Sequence, residues 1–220
     1  MTRPEPAAAA VDAEALDTLY RGAPMAALVG VVEAFFLSVL FWRDVPATSI
    51  VWWLIAFAAV RGLRIGLGLA YRRAGALQPG RNAFWARCVV ASALAQALAW
   101  GAGSWVLLAP HNVVAEMALH IGLAAVVLGS VAHLAHHLPA LAAYAAGVFV
   151  PLALRDVLVG QPLHYALALA SVLMAWYVWR SGRAHARALA QASAQRQEKL
   201  ALIDALQREQ LTAYGLAENR

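Results

Sequence analysis

Residues 163–214 hold an apolar run, LHYALALASVLMAWYVW, that passes without interruption into a polar one, RSGRAHARALAQASAQRQEKLALIDALQREQLTAY. No charged side chain occurs between positions 163 and 179, so as a helix this run suits the apolar thickness of a bilayer. From Arg183 to Tyr214 there is neither Gly nor Pro, and strong helix formers (Ala, Gln, Arg, Glu, Leu) dominate. At about 1.5 Å per residue this polar part extends roughly 48 Å. One end of such a rod belongs in lipid and the other in water. The rest of the chain must therefore be compatible with a membrane.

Composition agrees. Of 220 residues, 62% are hydrophobic and 13% charged, and the mean hydropathy of +0.62 is too high for an ordinary soluble domain. The net charge of +5 comes largely from Arg residues beside apolar spans, where the positive-inside rule accounts for them. Nucleic acid is therefore not an expected partner. The one cysteine, Cys88, excludes an internal disulfide and a multi-Cys metal site and reads as a small packing residue. Residues 1–22 mix Asp12, Glu14 and Asp17 with Arg3 and Arg21, unlike a cleavable signal peptide. They read as a disordered start and a short amphipathic helix carrying Leu16, Leu19 and Tyr20.

Six apolar spans come next, at about 24–42, 48–70, 85–109, 113–135, 139–158 and 163–179, separated by short turns at RDVPAT, APHN and GQP. The loop YRRAGALQPGRNAFWAR carries Arg72, Arg73, Arg81 and Arg87 and no acid, which places it in the cytoplasm, with both termini on the same side. The expected fold is all-α: an integral membrane six-helix bundle with a long C-terminal cytoplasmic signalling helix. It divides into a cytoplasmic segment at 1–22, a transmembrane sensor domain at 23–180 and the signalling helix at 181–220. Trp42, Trp52, Trp53, Trp100 and Trp105 toward outer span ends, with Trp85 and Trp179 at inner ends, read as interfacial anchors or as packing residues. The outer loops are too short for a folded external domain, so a stimulus is read in the membrane or at its surface.

Ionisable groups inside apolar spans cost several kcal/mol unless paired or wet. Glu33 in span one and Arg61 in span two fall at similar depth and are expected to form an ion pair, as a packing clamp or as part of a ligand or proton site. Arg64, one turn nearer the cytoplasm, can snorkel to the headgroups. Gln96 needs an interhelical partner and joins the polar interior near Arg61. Glu116 and His120 stand at i, i+4, and with His111 and His164 they are candidates for an outer pocket whose charge changes with pH, or for ordinary rim residues. His133, His136 and His137 end span four. His133 and His137 at i, i+4 have a spacing that can share a metal, but no carboxylate or Cys lies close in sequence to complete the shell, and a helix-end role before Pro139 is the simpler reading. A bis-His haem pair of His120 and His133 puts the two rings about 140° apart around one helix. No metal ligand set or cofactor is assigned. Ala91, Ala95, Ala99 and Gly103, with Gly122 and Gly129, are expected to allow close helix approach. In the rod, Leu189, Ala192, Leu200, Ile203, Leu206, Leu211 and Tyr214 suggest a stripe for a homodimeric coiled coil, interrupted by Arg196 and Lys199.

LYRGAPMAALVGVVEAFFLSVLFW, VRGLRIGLGLAYRRA, LAQALAWGAGSWVLL and GSVAHLAHHLPALAAYAAGVFVPLALRDVLVGQPLHYALAL together resemble the N-terminal six-helix membrane region of bacterial sensor proteins, among them hybrid sensor histidine kinases and some diguanylate cyclases. The resemblance covers about residues 19–190 and is most specific at HLPA (137–140), PLALR (151–155) and Leu163–His164. The sequence departs from the usual pattern at Glu33 and in its extra His133 and His136. The end, REQLTAYGLAENR, looks like the approach to the phospho-accepting helix pair of a kinase, while no H-box, nucleotide motif, receiver Asp or GGDEF occurs. The resemblance implies a sensory input module in the bacterial inner membrane. It is not itself an enzyme, it takes an unknown small-molecule cue, and it is coupled to a kinase or cyclase output domain. A membrane haem or metal redox-sensing protein is the alternative from another class.

Overall fold

The computed structural model describes residues 16–20, 23–74, 82–109 and 111–218. The first 15 residues, Arg81, and the side chains of Leu211 and Tyr214 lie outside the described residues. A helical turn at 16–20 is succeeded by six long helices: α1 (Ala23–Leu40), α2 (Ala47–Arg73), α3 (Asn82–Val106), α4 (Val113–Leu134), α5 (Leu138–Val159) and α6 (Pro162–Glu218). No strand occurs among the described residues. α2 to α6 are each long and apolar enough to cross a membrane, the make-up of a multi-pass membrane protein, and the described part of α1 is a shorter apolar helix, Leu28–Leu40.

The helix ends obey local chemistry. Asn112 caps α4 by accepting from the Ala115 N–H at 3.1 Å, and its amide donates to Asp44 at 3.0 Å, tying the α3–α4 turn to the end of α1. His137 is the N-cap of α5 through its carbonyl, which accepts from Ala140 at 2.9 Å, with Pro139 in the first turn. Gly160 ends α5 at φ +73°, a left-handed conformation that costs Gly little, and α6 starts two residues later.

α5 is the hub, packed against α3 most extensively, then against α6 and α4, whereas α1 touches mainly α2 and α4. The α3–α5 approach depends on small residues. Ala93, Ala97 and Gly101 are buried at i, i+4, i+8. A Cβ on Gly101 would stand 2.5 Å from the Gly147 carbonyl and 2.8 Å from the Pro151 ring, and one on Gly147 would meet Ala97 at 2.6 Å. The expected stripe of Ala91, Ala95 and Ala99 is thus two residues out of phase, because Ala91 faces outward and Ala95 and Ala99 are half-buried. Gly103 does make room, for the Trp53 ring, and Gly122 packs against Leu37, but nothing lies within 4 Å of a Cβ at Gly129.

The exterior is apolar. α1 exposes Leu28, Val32, Phe35 and Phe36, and α6 exposes Leu169, Val172, Leu173 and Trp176, an outer surface suited to lipid. Trp42, Trp52, Trp105 and Trp179 lie on this surface as anchors can. Trp53, Trp85 and Trp100 do not. Trp53 donates to the Ala99 carbonyl at 2.8 Å and packs with Phe57 and Trp100 in an aromatic core.

Below the bundle, the turn at 16–20 buries Leu16, Leu19 and Tyr20. Tyr20 stacks on Tyr71 at 4.2 Å and donates its hydroxyl to the Trp85 carbonyl at 3.1 Å. Burial pushes the Tyr20 phenol well up, so the group stays a donor. The amphipathic segment read from the sequence is thus a plug across the ends of α2 and α3.

Replacing Gly101 by Val should lower stability by about 1–3 kcal/mol through overpacking against α5. Gly62→Ala, where an added Cβ meets nothing within 4 Å, should cost nothing. Thermal unfolding in mild detergent checks both.

Candidate functional site

Polar side chains gather in two places, one at each end of the bundle. At the end where α3 turns into α4 and α5 into α6, five ionisable groups converge: Glu116 and His120 on α4, Arg155 and Asp156 at the end of α5, and His164 in the first turn of α6. Glu116, Arg155, Asp156 and His164 are all 1% exposed or less, so each charge must find its partner in the protein. Glu116 does this twice. One oxygen accepts from the Ala109 backbone N–H at 2.7 Å, and the other pairs with the Arg155 guanidinium. His164 Nε2 lies 4.0 Å from that second oxygen.

His120 fixes a proton. Its Nδ1 faces the Glu116 carbonyl oxygen at 2.8 Å and its Nε2 faces Asp156 Oδ2 at 2.7 Å. A carbonyl only accepts, so Nδ1 carries hydrogen and donates to it. A neutral imidazole then has no hydrogen for Nε2, yet the contact to the carboxylate needs one. The proton therefore resides in the His120–Asp156 pair, on one partner or the other. With it, Glu116 offsets Arg155, and the His120–Asp156 pair is neutral as a unit. Arg155 Nε and Nη1, Asp156 Oδ1 and both ring nitrogens of His164 make no hydrogen bond within the protein, so the network holds unused polar capacity in a place of low dielectric.

The expected outer pocket is thus partly assembled, and its membership changes. Glu116, His120 and His164 come together, but His111 does not, being exposed and 3.7 Å from Asp44. Arg155 and Asp156 were not candidates. Their position near a span end, in PLALRDVL, resembles an ordinary interfacial pair.

At the opposite end lies a cavity of about 330 Å³ among α1 to α5. Its lining includes Glu33, Arg61, Arg64, Gln96, Ser130, His133 and Tyr144. With its amide oxygen toward Arg64, Gln96 accepts from Nη1 at 3.3 Å and Nε at 3.2 Å. Arg64 Nη2 reaches His133 Nε2 at 3.4 Å. Arg61 lies over the Phe57 ring at 4.9 Å and across Gly30, where any Cβ would strike its guanidinium. Glu33, Arg61, Arg64 and Gln96, expected together, do share one site, and Glu33 and Arg61 interact electrostatically in it. Arg64 is buried rather than snorkelling outward, and it is Arg64, not Arg61, that holds Gln96.

The histidine run separates. α4 ends at Leu134, so His133 and His137 no longer share one helix face: His133 joins Arg64, and His137 caps α5 with no side-chain capping bond. His136 is half-buried in the turn between them. His120 and His133, weighed as a haem pair, belong to different clusters. Among the described residues no three His, Cys, Asp or Glu side chains form a metal ligand set. Compared with protein-family models, with curated proteins and with solved structures, the chain matches none.

Removing the Glu116 charge leaves Arg155 buried and uncompensated, so Glu116→Gln should cost about 3–5 kcal/mol. Asp156→Asn should be far milder, because the amide N–H can donate to His120 Nε2 where the shared proton now sits. Equal losses in thermal unfolding would contradict the proton placement.

Proposed function

We propose that the chain is the transmembrane sensory input module of a two-component sensor histidine kinase. In this reading all six helices span the bacterial inner membrane, both termini are cytoplasmic, and two copies pair through α6. Catalysis belongs to the output domain that the module drives. The observation that carries the reading is the continuity of α6. It begins beside the buried network, with His164 in its first turn, and runs as a single helix of 57 residues to Glu218. At about 1.5 Å per residue that is roughly 85 Å.

Such a helix converts a small local change into movement at a distance. A cue that redistributes charge among Glu116, Arg155 and His164 alters what holds the first turn of α6 against α4 and α5. The helix is stiff, so a shift there is passed on as rotation, tilt or sliding. Gly182 lets α6 pass close over Leu141 near the start of α5, and from 191 to 203 every side chain is exposed. Leu200, Ile203 and Leu206 are half or more exposed on this part, apolar groups that a second copy would cover. Arg72 and Arg73 at the end of α2, with Arg180 and Arg183 over Trp176 and Trp179 at 5.9 Å each, support a cytoplasmic assignment for that end.

The test joins the chain after residue 220 to a histidine kinase catalytic region and measures autophosphorylation in nanodiscs. Inserting one residue after Ala190 rotates the downstream part of the helix by about 100°, and inserting seven by about −20°. The single insertion should change kinase output strongly and the seven-residue insertion little. Equal effects would make α6 a passive tether and sink the sensory reading.

A further inference from the structure

The inner cavity carries a conclusion that does not depend on signalling. Its lining sets two guanidiniums against one carboxylate, Glu33. Arg64 is held by neutral acceptors, Gln96 and His133, which fix its position without offsetting its charge. An Arg stays protonated in any protein setting, and a buried cation is costly until an anion meets it.

The way in is set by the same residues. Lining residues from α2, α3 and α5 (Arg61, Arg64, Gln96 and Tyr144) are buried, while the exposed ones, Val29, Ala125 and Gly129, belong to α1 and α4. The mouth is therefore between α1 and α4, where small side chains leave space and a Cβ at Gly129 meets nothing within 4 Å. Its surroundings are apolar, with Leu28, Val32, Ile121 and Leu128 exposed nearby on the same two helices. The turn at 16–20 covers the inner end of the bundle, with Tyr20 against Tyr71, Trp85 and Gly68. A ligand thus reaches the two Arg residues through an apolar surface. At about 30 Å³ for a water-sized group, the cavity has room for a polar head and the first part of a chain, not for a whole lipid.

We propose that this cavity binds the singly charged anionic head of an amphiphile, a carboxylate or a phosphodiester on an alkyl chain, between Arg61 and Arg64, with the tail leaving between α1 and α4. Glu33 offsets one guanidinium and the ligand the other. His133 and Gln96 are positioning residues that aim Arg64, and Tyr144 presents its hydroxyl to the same space, whereas the Ser130 hydroxyl donates to the Val127 carbonyl at 2.7 Å.

The experiment uses the whole chain in phosphatidylcholine nanodiscs and a dodecanoate bearing a photoreactive diazirine on its tail. Crosslinks should map to Val29, Ala125 and Val126. Excess dodecanoate should protect these sites, while dodecanol and dodecyltrimethylammonium should not. Arg64→Gln removes a charged hydrogen bond and should weaken labelling about tenfold or more. Gly129→Trp blocks the mouth at an open, outward-facing position where folding is not at stake, and should do the same. Protection by phosphatidylglycerol added to the discs would identify a phospholipid as the source of the head, and protection by dodecanoate alone a free carboxylate; either supports the anionic head. Labelling spread over the whole outer surface, protection by dodecanol equal to that by dodecanoate, or undiminished labelling in both folded variants would overturn the proposal. None of these outcomes touches the kinase readout, so the two proposals fail separately.

Discussion

The ion pair of Glu116 with Arg155 is the interaction on which the end of the bundle where α5 turns into α6 depends. Both groups are 1% exposed or less, and a charge at that depth is tolerated only with its partner in place. The pair joins the first turn of α4 to α5 near its end, and the same carboxylate holds the α3–α4 turn through the Ala109 N–H. Around it, His120 and Asp156 bind one proton between the same two helices, and His164 brings α6 to the edge of the group. The α3–α4 turn, α4 and α5 are thus registered against each other by charge in addition to apolar packing, which is not directional, and His164 of α6 is set beside them.

α5 links this network to the cavity at the other end. Arg155 and Asp156 belong to the network and Tyr144 lines the cavity, separated by 11 residues or about 16 Å along the helix. Between them lie Gly147 and Pro151, where α3 comes closest. Pro151 removes one backbone hydrogen bond, and the Trp105 indole donates to its carbonyl at 3.2 Å. A helix weakened at its midpoint and gripped by polar groups at both ends is a reasonable element for two sites to bias.

Much of the architecture could be read from the residues. Long apolar runs, Pro and Gly at the turns and the Gly-free rod give the helices nearly to their ends, since each signal is local. Phase within an apolar helix is not local. Ala91 and Ala93 look alike in a sequence, and only the position of Gly147 on another helix decides that Ala93, Ala97 and Gly101 form the seam. The same holds for Trp53 and Trp100, which depth alone leaves as either anchors or packing residues and which tertiary packing takes into the core. Of the polar residues, those deep in spans (Glu33, Arg61, Arg64 and Gln96) were legible because their cost there demands a shared site. Arg155 and Asp156 were not, because a pair near a helix end is ordinarily solvated, and its partners, Glu116 and His120, come from another helix.

The central claim is that the buried network sets where α6 stands. The most direct measurement is the distance between spin labels at two exposed sites, Phe84 at the start of α3 and Arg187 on α6, in nanodiscs with Cys88 replaced by Ser. The distribution should shift or broaden when Glu116 and Arg155 are both replaced by Met, a change that removes the charges together and spares the fold a lone buried ion. A folded double variant with the original distribution would contradict the claim and leave α6 held by apolar packing alone.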